Sequence, residues 1–239
     1  MIGIDDRLLS EHGPAWAPSW PLAFSEDGTT VAVRLTSASK ECVAVDGRRG
    51  EAFDQVGTPV LSRDGTRVAY RAHLGDRCFA VLGTERGPAC ELMTDPAISA
   101  DGRTIAYGAK RGWWRLVVGD REIALDVAPA RVFLSDDGRA VGYVEGSQAR
   151  VVVPGRPPGE LFSLVGRPVF SPDGRTVAYA ADVGATPYVV VGDRKFPAPG
   201  RVSDPAFSAD GRKVGYGTRV GREIGWKVLD VSSFLGADP

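Results

Sequence analysis

No asparagine occurs in the 239 residues, and histidine appears only twice, as His12 and His73. That scarcity weighs against a Ser-His-Asp hydrolase, which also needs an exposed nucleophile; the chain carries no Gly-x-Ser-x-Gly elbow. Neither histidine is read as catalytic. Cysteine is scarce too: Cys42, Cys78 and Cys90 cannot all pair within one chain and form no Cys-x-x-Cys arrangement, so they are expected as buried, reduced thiols. No apolar run approaches the roughly 18 residues needed to cross a bilayer. The 29 basic and 30 acidic side chains leave a net charge of −1, too little for a global field to hold nucleic acid or an anionic membrane. Acids at Asp5 and Asp6 stand where a secretory leader would be basic. The expected location is therefore cytoplasmic, or periplasmic or secreted if a leader has been removed.

What the sequence does have is a repeat. Asp-Gly dipeptides begin at Asp27, Asp64, Asp101, Asp137, Asp173 and Asp210, at intervals of 37, 37, 36, 36 and 37 residues. Each period follows one order: a short apolar strand ending in Ser-x-Asp-Gly, an alternating strand, a variable loop and a Val-rich strand. Val169-Phe170-Ser171-Pro172-Asp173-Gly174, Thr176-Val177-Ala178-Tyr179 and Tyr188-Val189-Val190-Val191 show it. Asp-Gly between two alternating apolar runs is a strong hairpin signal. A glycine turn follows at Gly47, Gly83, Gly119, Gly155 and Gly192, then a weaker outer strand such as Glu51-Ala52-Phe53.

Four antiparallel strands at a period of this size make the blade of a propeller. The expected fold is all-β, a single six-bladed β-propeller over 1–239, with an N-terminal arm at 1–21 and six repeats at 22–239. In the preferred closure, Arg7-Leu8-Leu9-Ser10 supplies the outer strand of the last blade beside Gly225-Trp226-Lys227-Val228-Leu229. The competing closure uses Ser232-Ser233-Phe234-Leu235 as that strand.

The string from Phe170 to Tyr179, with its relatives at Leu61–Tyr70, Ile98–Tyr107 and Phe207–Tyr216, resembles the WD-like repeat of bacterial TolB-type propellers, as does Val43-Ala44-Val45-Asp46-Gly47-Arg48. The resemblance covers essentially the whole chain. It implies a six-bladed ring of the kind that binds partner proteins, on a fold that hosts binding modules and enzymes alike. The extra N-terminal domain and secretion signal of TolB have no counterpart here, so its periplasmic role is not implied.

Six symmetric Ser-x-Asp-Gly copies are read as turn chemistry, because short polar side chains satisfy turn amides. Lactonase-like propellers hold a channel calcium with acidic and asparagine side chains. The lack of asparagine removes part of that pattern and leaves backbone carbonyls and carboxylates as the remaining calcium ligands; neither a metal nor another cofactor is expected. Counting three residues back from the Phe/Leu/Ile of each inner strand places Pro21, Thr58, Asp95, Arg131, Arg167 and Asp204 at the channel mouth, a mixed-charge rim suited to a zwitterionic ligand unless the Asp and Arg side chains pair internally.

Loops expected on the same face carry Arg71, His73, Lys110, Arg111, Trp113, Arg115, Arg219, Arg222 and Glu223, and blade one adds Trp16 and Trp20. Trp and Arg are the residues most enriched at binding hot spots. Trp16, Trp20 and Trp113 are thus candidate contacts, whereas Trp114 and Trp226 align with Phe79 and Tyr188 and are expected to pack between blades. The functional expectation is a non-catalytic protein- or peptide-binding scaffold using Trp16, Trp20, Arg71, His73, Lys110, Arg111 and Trp113, together with the channel mouth. The alternative is an enzyme or small-molecule binder that uses the central channel, with or without a bound cation.

Overall fold

The same short hydrogen-bond circuit closes each Asp-Gly turn. In a computed structural model, which describes residues 16–145 and 149–235, Ser99 Oγ donates to Asp101 Oδ1 at 2.7 Å and accepts from the Thr104 amide at 2.9 Å. Asp101 Oδ1 accepts in turn from the Arg103 amide at 3.0 Å. Gly102 sits at φ +68°, a left-handed conformation that favours a residue without Cβ. Ser25–Asp27, Ser62–Asp64, Ser135–Asp137, Ser171–Asp173 and Ser208–Asp210 repeat the arrangement. The serine hydroxyl is the chief cause, helped by turn amides, that holds all six carboxylates below their ordinary range.

Among the described residues the strands form six antiparallel sheets, one per repeat. The chain divides into two compact units, 1–126 and 127–239. The first unit begins with a sheet of Ala17–Phe24, Val31–Thr36, Glu41–Val45 and Arg48–Arg49. In its second sheet the inner strand comes in two pieces, Gln55–Val56 and Val60–Leu61, both paired to Val68–Leu74; Arg77–Leu82 and Glu85–Arg86 complete it. Pro59 stands in the break, where a missing amide costs no ladder bond. Leu92–Met93 and Ala97–Ile98 play the same part beside Ile105–Arg111, followed by Trp113–Val118 and Arg121–Leu125.

The second unit departs from four strands twice. Its first sheet has Pro129–Leu134, Val141–Glu145 and Val151–Val152 but no outer strand among the described residues, because Pro154, Pro157 and Pro158 supply no amide donors where that strand would pair. The next is complete: Leu164–Val165 with Val169–Phe170, then Val177–Val183, Thr186–Val191 and Arg194–Pro197. The last stops at Glu223–Asp230, with no further strand among the described residues.

Two sequence expectations change here. Ser232–Leu235 is not an outer strand but a single helical turn, opened by Asp230 Oδ1 accepting from the Ser232 amide at 3.0 Å. Trp226 does not pack between sheets: it is 79% exposed, beside Ile224 at 84% on the same face of the terminal strand. Arg7–Ser10 and His12 lie outside the described residues.

Within each unit, neighbouring sheets bury their apolar faces against one another. Phe53 meets Tyr70 edge-on at 6.3 Å in the first unit, and Phe162 meets Tyr179 in the same way at 5.8 Å in the second. Val43, Val56, Val68 and Val81 surround the first pair; Val151, Val177 and Val190 surround the second. Burying each such side chain contributes roughly 1.5–3 kcal/mol, and this repeated packing is what stabilises the sheets as neighbours. All three cysteines are buried free thiols. No helix among the described residues is long and apolar enough to cross a membrane.

Candidate functional site

In the first unit, two hairpins carry most of the loop residues singled out from sequence. Val68–Leu74 and Arg77–Leu82 turn at Gly75, and Ile105–Arg111 and Trp113–Val118 turn at Gly112. Each tip is tied down by a carboxylate from the segment before its own inner strand. Asp54 Oδ2 accepts from the Gly75 amide at 2.7 Å, and Glu91 Oε1 accepts from the Gly112 amide at 2.8 Å. Lys40 and Lys110 pair with these same carboxylates, at 2.7 and 3.7 Å. In the second unit, Ser163 Oγ accepts from the Gly184 amide at 2.9 Å. Sequence reasoning missed these anchors; their one signal is a polar residue just ahead of the inner strand, at Asp54, Glu91 and Ser163.

Trp113 stands on the anchored tip, 79% exposed. Strand alternation puts Trp113 and Arg115 on one face, with Arg111 directly across the ladder from Trp113. Glu122, on Arg121–Leu125, accepts from Arg111 Nη2 through one carboxylate oxygen and from Arg115 Nη1 through the other, the latter at 3.2 Å. One carboxylate thus serves two guanidiniums, and Arg115 Nε is buried without a hydrogen-bond partner. The cluster keeps a surplus of positive charge beside an exposed indole.

Other predicted contacts are placed differently. Trp16 is half-buried over Val33, Leu35, Cys42 and Ala44, with the Arg49 guanidinium 5.8 Å from its ring centroid, so it packs on the first sheet. Trp20 lies on the Ala17–Phe24 strand, and its side chain falls outside the described residues. His73 pairs in register with Gln55 and Cys78; burial, reinforced by Arg71, holds its imidazole below the ordinary value.

Channel-mouth residues group within each unit. In the first, Asp95 comes back over Gly57, where a Cβ would lie 2.6 Å from Oδ1. Its carboxylate is 3.4 Å from Arg71 Nε, a close ion pair without hydrogen-bond geometry, and Arg71 Nη1 donates to the Met93 carbonyl at 3.3 Å. Thr58 follows Gly57 in the break of the inner strand. In the second unit, Asp204 Oδ1 accepts from the Arg167 amide at 2.8 Å and would meet a Cβ on Gly166 at 2.7 Å. The two aspartates are therefore engaged in equivalent contacts with the preceding repeat. Arg131 is exposed on Pro129–Leu134, and neither it nor the Arg167 guanidinium has an ion-pair partner among the described residues.

A cleft of about 470 Å³ opens in the second unit where the Pro157-Pro158 stretch replaces an outer strand. Its floor is Val151, Val177, Tyr179 and Phe162, and its rim carries the Glu160–Lys195 ion pair at 2.7 Å. Among the described residues no three His, Cys, Asp or Glu side chains are grouped to hold a metal ion.

No family model matches the chain, and no curated protein matches it. Solved structures do. The β-propeller domain of the Trilobed protease from Pyrococcus furiosus, described as having an open velcro topology, aligns with TM-score 0.58 and 11% identity over 91% of this chain and 82% of that one. The β-propeller domain of Cps50 (Swd1) from Myceliophteria thermophila aligns with TM-score 0.52 and 13% identity, over 87% and 83%. TolB from Acinetobacter baumannii matches with 15% identity and TM-score 0.46, over 90% of this chain and 60% of that one. At such identities the likeness concerns fold and selects no activity. Six antiparallel sheets in tandem, each built around an Asp-Gly hairpin and matched by two propeller domains, give the chain a β-propeller fold.

Proposed function

We propose that the chain is a non-catalytic protein- or peptide-binding scaffold, a propeller of six blades whose loop-rich face carries the contact surface. The observation that carries this reading is Trp113: a large, mostly exposed indole on a hairpin tip tied to Glu91. An aromatic displayed on rigid backbone loses little entropy on binding and supplies a large apolar contact area. Beside it, Arg111 and Arg115 share one carboxylate, so the complementary ligand is a segment pairing an apolar side chain with an acidic one. Arg71 and His73 extend the surface, with Asp95 and Thr58 at its inner margin.

The test is selection of binding peptides from a random display library on the full chain, followed by affinity measurement on a Trp113→Ala, Arg111→Ala double variant whose strand spectrum is unchanged. Loss of one hot-spot aromatic typically costs 2 kcal/mol or more, so affinity should fall by at least about 30-fold. Undiminished binding by the double variant would place the contact surface elsewhere.

A further inference from the structure

Each pair of neighbouring sheets in the first unit is stitched by one isolated antiparallel bridge between a third strand and the segment leading to the next repeat. Between the first and second sheets the bridge joins Glu41 to Phe53; between the second and third, each position moves on by one repeat and the bridge joins Cys78 to Cys90. Phe53 fills its cleft against Tyr70. At Cys90 the ring is gone, and the space facing Tyr107 is occupied by two thiols instead, among Ala80, Met93, Ala109 and Val117.

The backbone presents these cysteines as partners. Cys78 and Cys90 exchange both amide-to-carbonyl bonds, each at 2.9 Å, which sets their Cα atoms about 5.5 Å apart, inside the disulfide range. Their sulfurs lie 2.6 Å apart, much nearer the bonded distance of about 2.05 Å than a non-bonded contact. Cys42 sits in a different apolar cluster with Val33, Leu35 and Ala44, and has no such neighbour.

We propose that Cys78 and Cys90 are a disulfide-forming pair that staples the second sheet of the propeller to the segment entering the third. The chemistry is thiol–disulfide exchange with a low-molecular-weight disulfide such as oxidised glutathione. One cysteine thiolate attacks a glutathione sulfur, forming a mixed disulfide and releasing one glutathione thiolate. The second cysteine, deprotonated, attacks the protein sulfur of that adduct and expels the other glutathione. Two protein thiols lose two electrons and two protons, and one glutathione disulfide becomes two thiols. Both cysteines are buried, and burial raises the Cys90 thiol far above its ordinary range. The reaction therefore proceeds during folding or through local opening of the segment.

The experiment incubates the full chain with excess oxidised glutathione at mildly alkaline pH in sub-denaturing urea, then alkylates free thiols and digests with trypsin. Cleavage after Arg77, Arg86 and Arg103 separates the two cysteines into different peptides, and Cys42 leaves on a third. A Cys78–Cys90 linked pair with Cys42 alkylated is expected, the free thiol count falling from three to one with the strand spectrum unchanged. Three persistent thiols, cross-links to Cys42 in comparable yield, or linkage accompanied by loss of the strand spectrum would overturn the assignment.

Discussion

The strand pair that opens the second unit carries a trade of volume whose energetic consequence can be worked out. Six inner-strand residues face six second-strand residues across the ladder: Ala23 and Ala32, Val60 and Ala69, Ala97 and Ala106, Phe133 and Gly142, Val169 and Ala178, Ala206 and Gly215. Only at Phe133 is the inner member aromatic, and its partner has no side chain. A Cβ on Gly142 would stand 2.3 Å from Phe133 Cζ and 2.8 Å from both Cε atoms, against an ordinary carbon contact of about 3.5–4.0 Å. In Gly142→Ala the ring must therefore shift by more than about 1 Å, yet it is buried and packed 5.1 Å from the Phe170 ring.

Overpacking of this kind costs about 1–3 kcal/mol. Reduced freedom of the unfolded chain returns about 0.4–1 kcal/mol. A net loss of about 1–2 kcal/mol, divided by a urea m-value of about 2 kcal/mol/M, lowers the unfolding midpoint by roughly 0.5–1 M. In a Phe133→Val background the pair becomes that of Val60 with Ala69, and Gly142→Ala should then be neutral or slightly stabilising. The assay is a urea double-mutant cycle. If Gly142→Ala costs the same in both backgrounds to within about 0.5 kcal/mol, the two residues do not share the space as described, and the reasoning fails.

Two further outcomes follow from the turns. All six turn aspartates are held below their unfolded value of about 3.9, so their stabilising contribution is fully present above that pH and is lost as pH falls through the folded values. The urea midpoint should hold between about pH 7 and 5 and drop below about pH 4; a level profile down to pH 3 would deny the turns this role. Gly102 and Gly112 both have positive φ, +68° and +75°, but a Cβ on Gly102 would meet Arg67 at 2.8 Å whereas one on Gly112 would meet nothing within 4 Å. Gly112→Ala should cost about 1 kcal/mol of backbone strain and Gly102→Ala clearly more; equal urea midpoints would show that the Arg67 stem yields freely.

What could be read in the chain beforehand depends on how far apart the interacting residues lie. The Ser-x-Asp-Gly circuit spans six residues, from Ser99 to the Thr104 amide, so the local sequence contains every atom it needs and the turn is visible in each copy. The outer strand lost at Pro157-Pro158 is nearly as local, since proline cannot donate to a ladder wherever it stands. The anchors of the hairpin tips behave otherwise. Glu91 reaches Gly112 across 21 residues, Asp54 reaches Gly75 across the same interval, and Ser163 performs the task with a hydroxyl. No residue type marks the position; what makes the contact is the inner strand delivering a polar side chain to the tip of its own blade. Trp113 was legible as an indole on a loop, but whether that loop is held or free was not, and the binding proposal turns on that difference. Trp226 fails for a related reason. The ladder makes it the equivalent of Val189 rather than Tyr188, since Gly217–Trp226 repeats Ala180–Val189 at a spacing of 37 residues; Val189 is flanked by an outer strand, Arg194–Pro197, while beyond Glu223–Asp230 the described chain turns into a helix at Ser232. Equivalent positions in a repeat share a backbone environment only as far as the next strand is also repeated, and among the described residues no strand follows Glu223–Asp230.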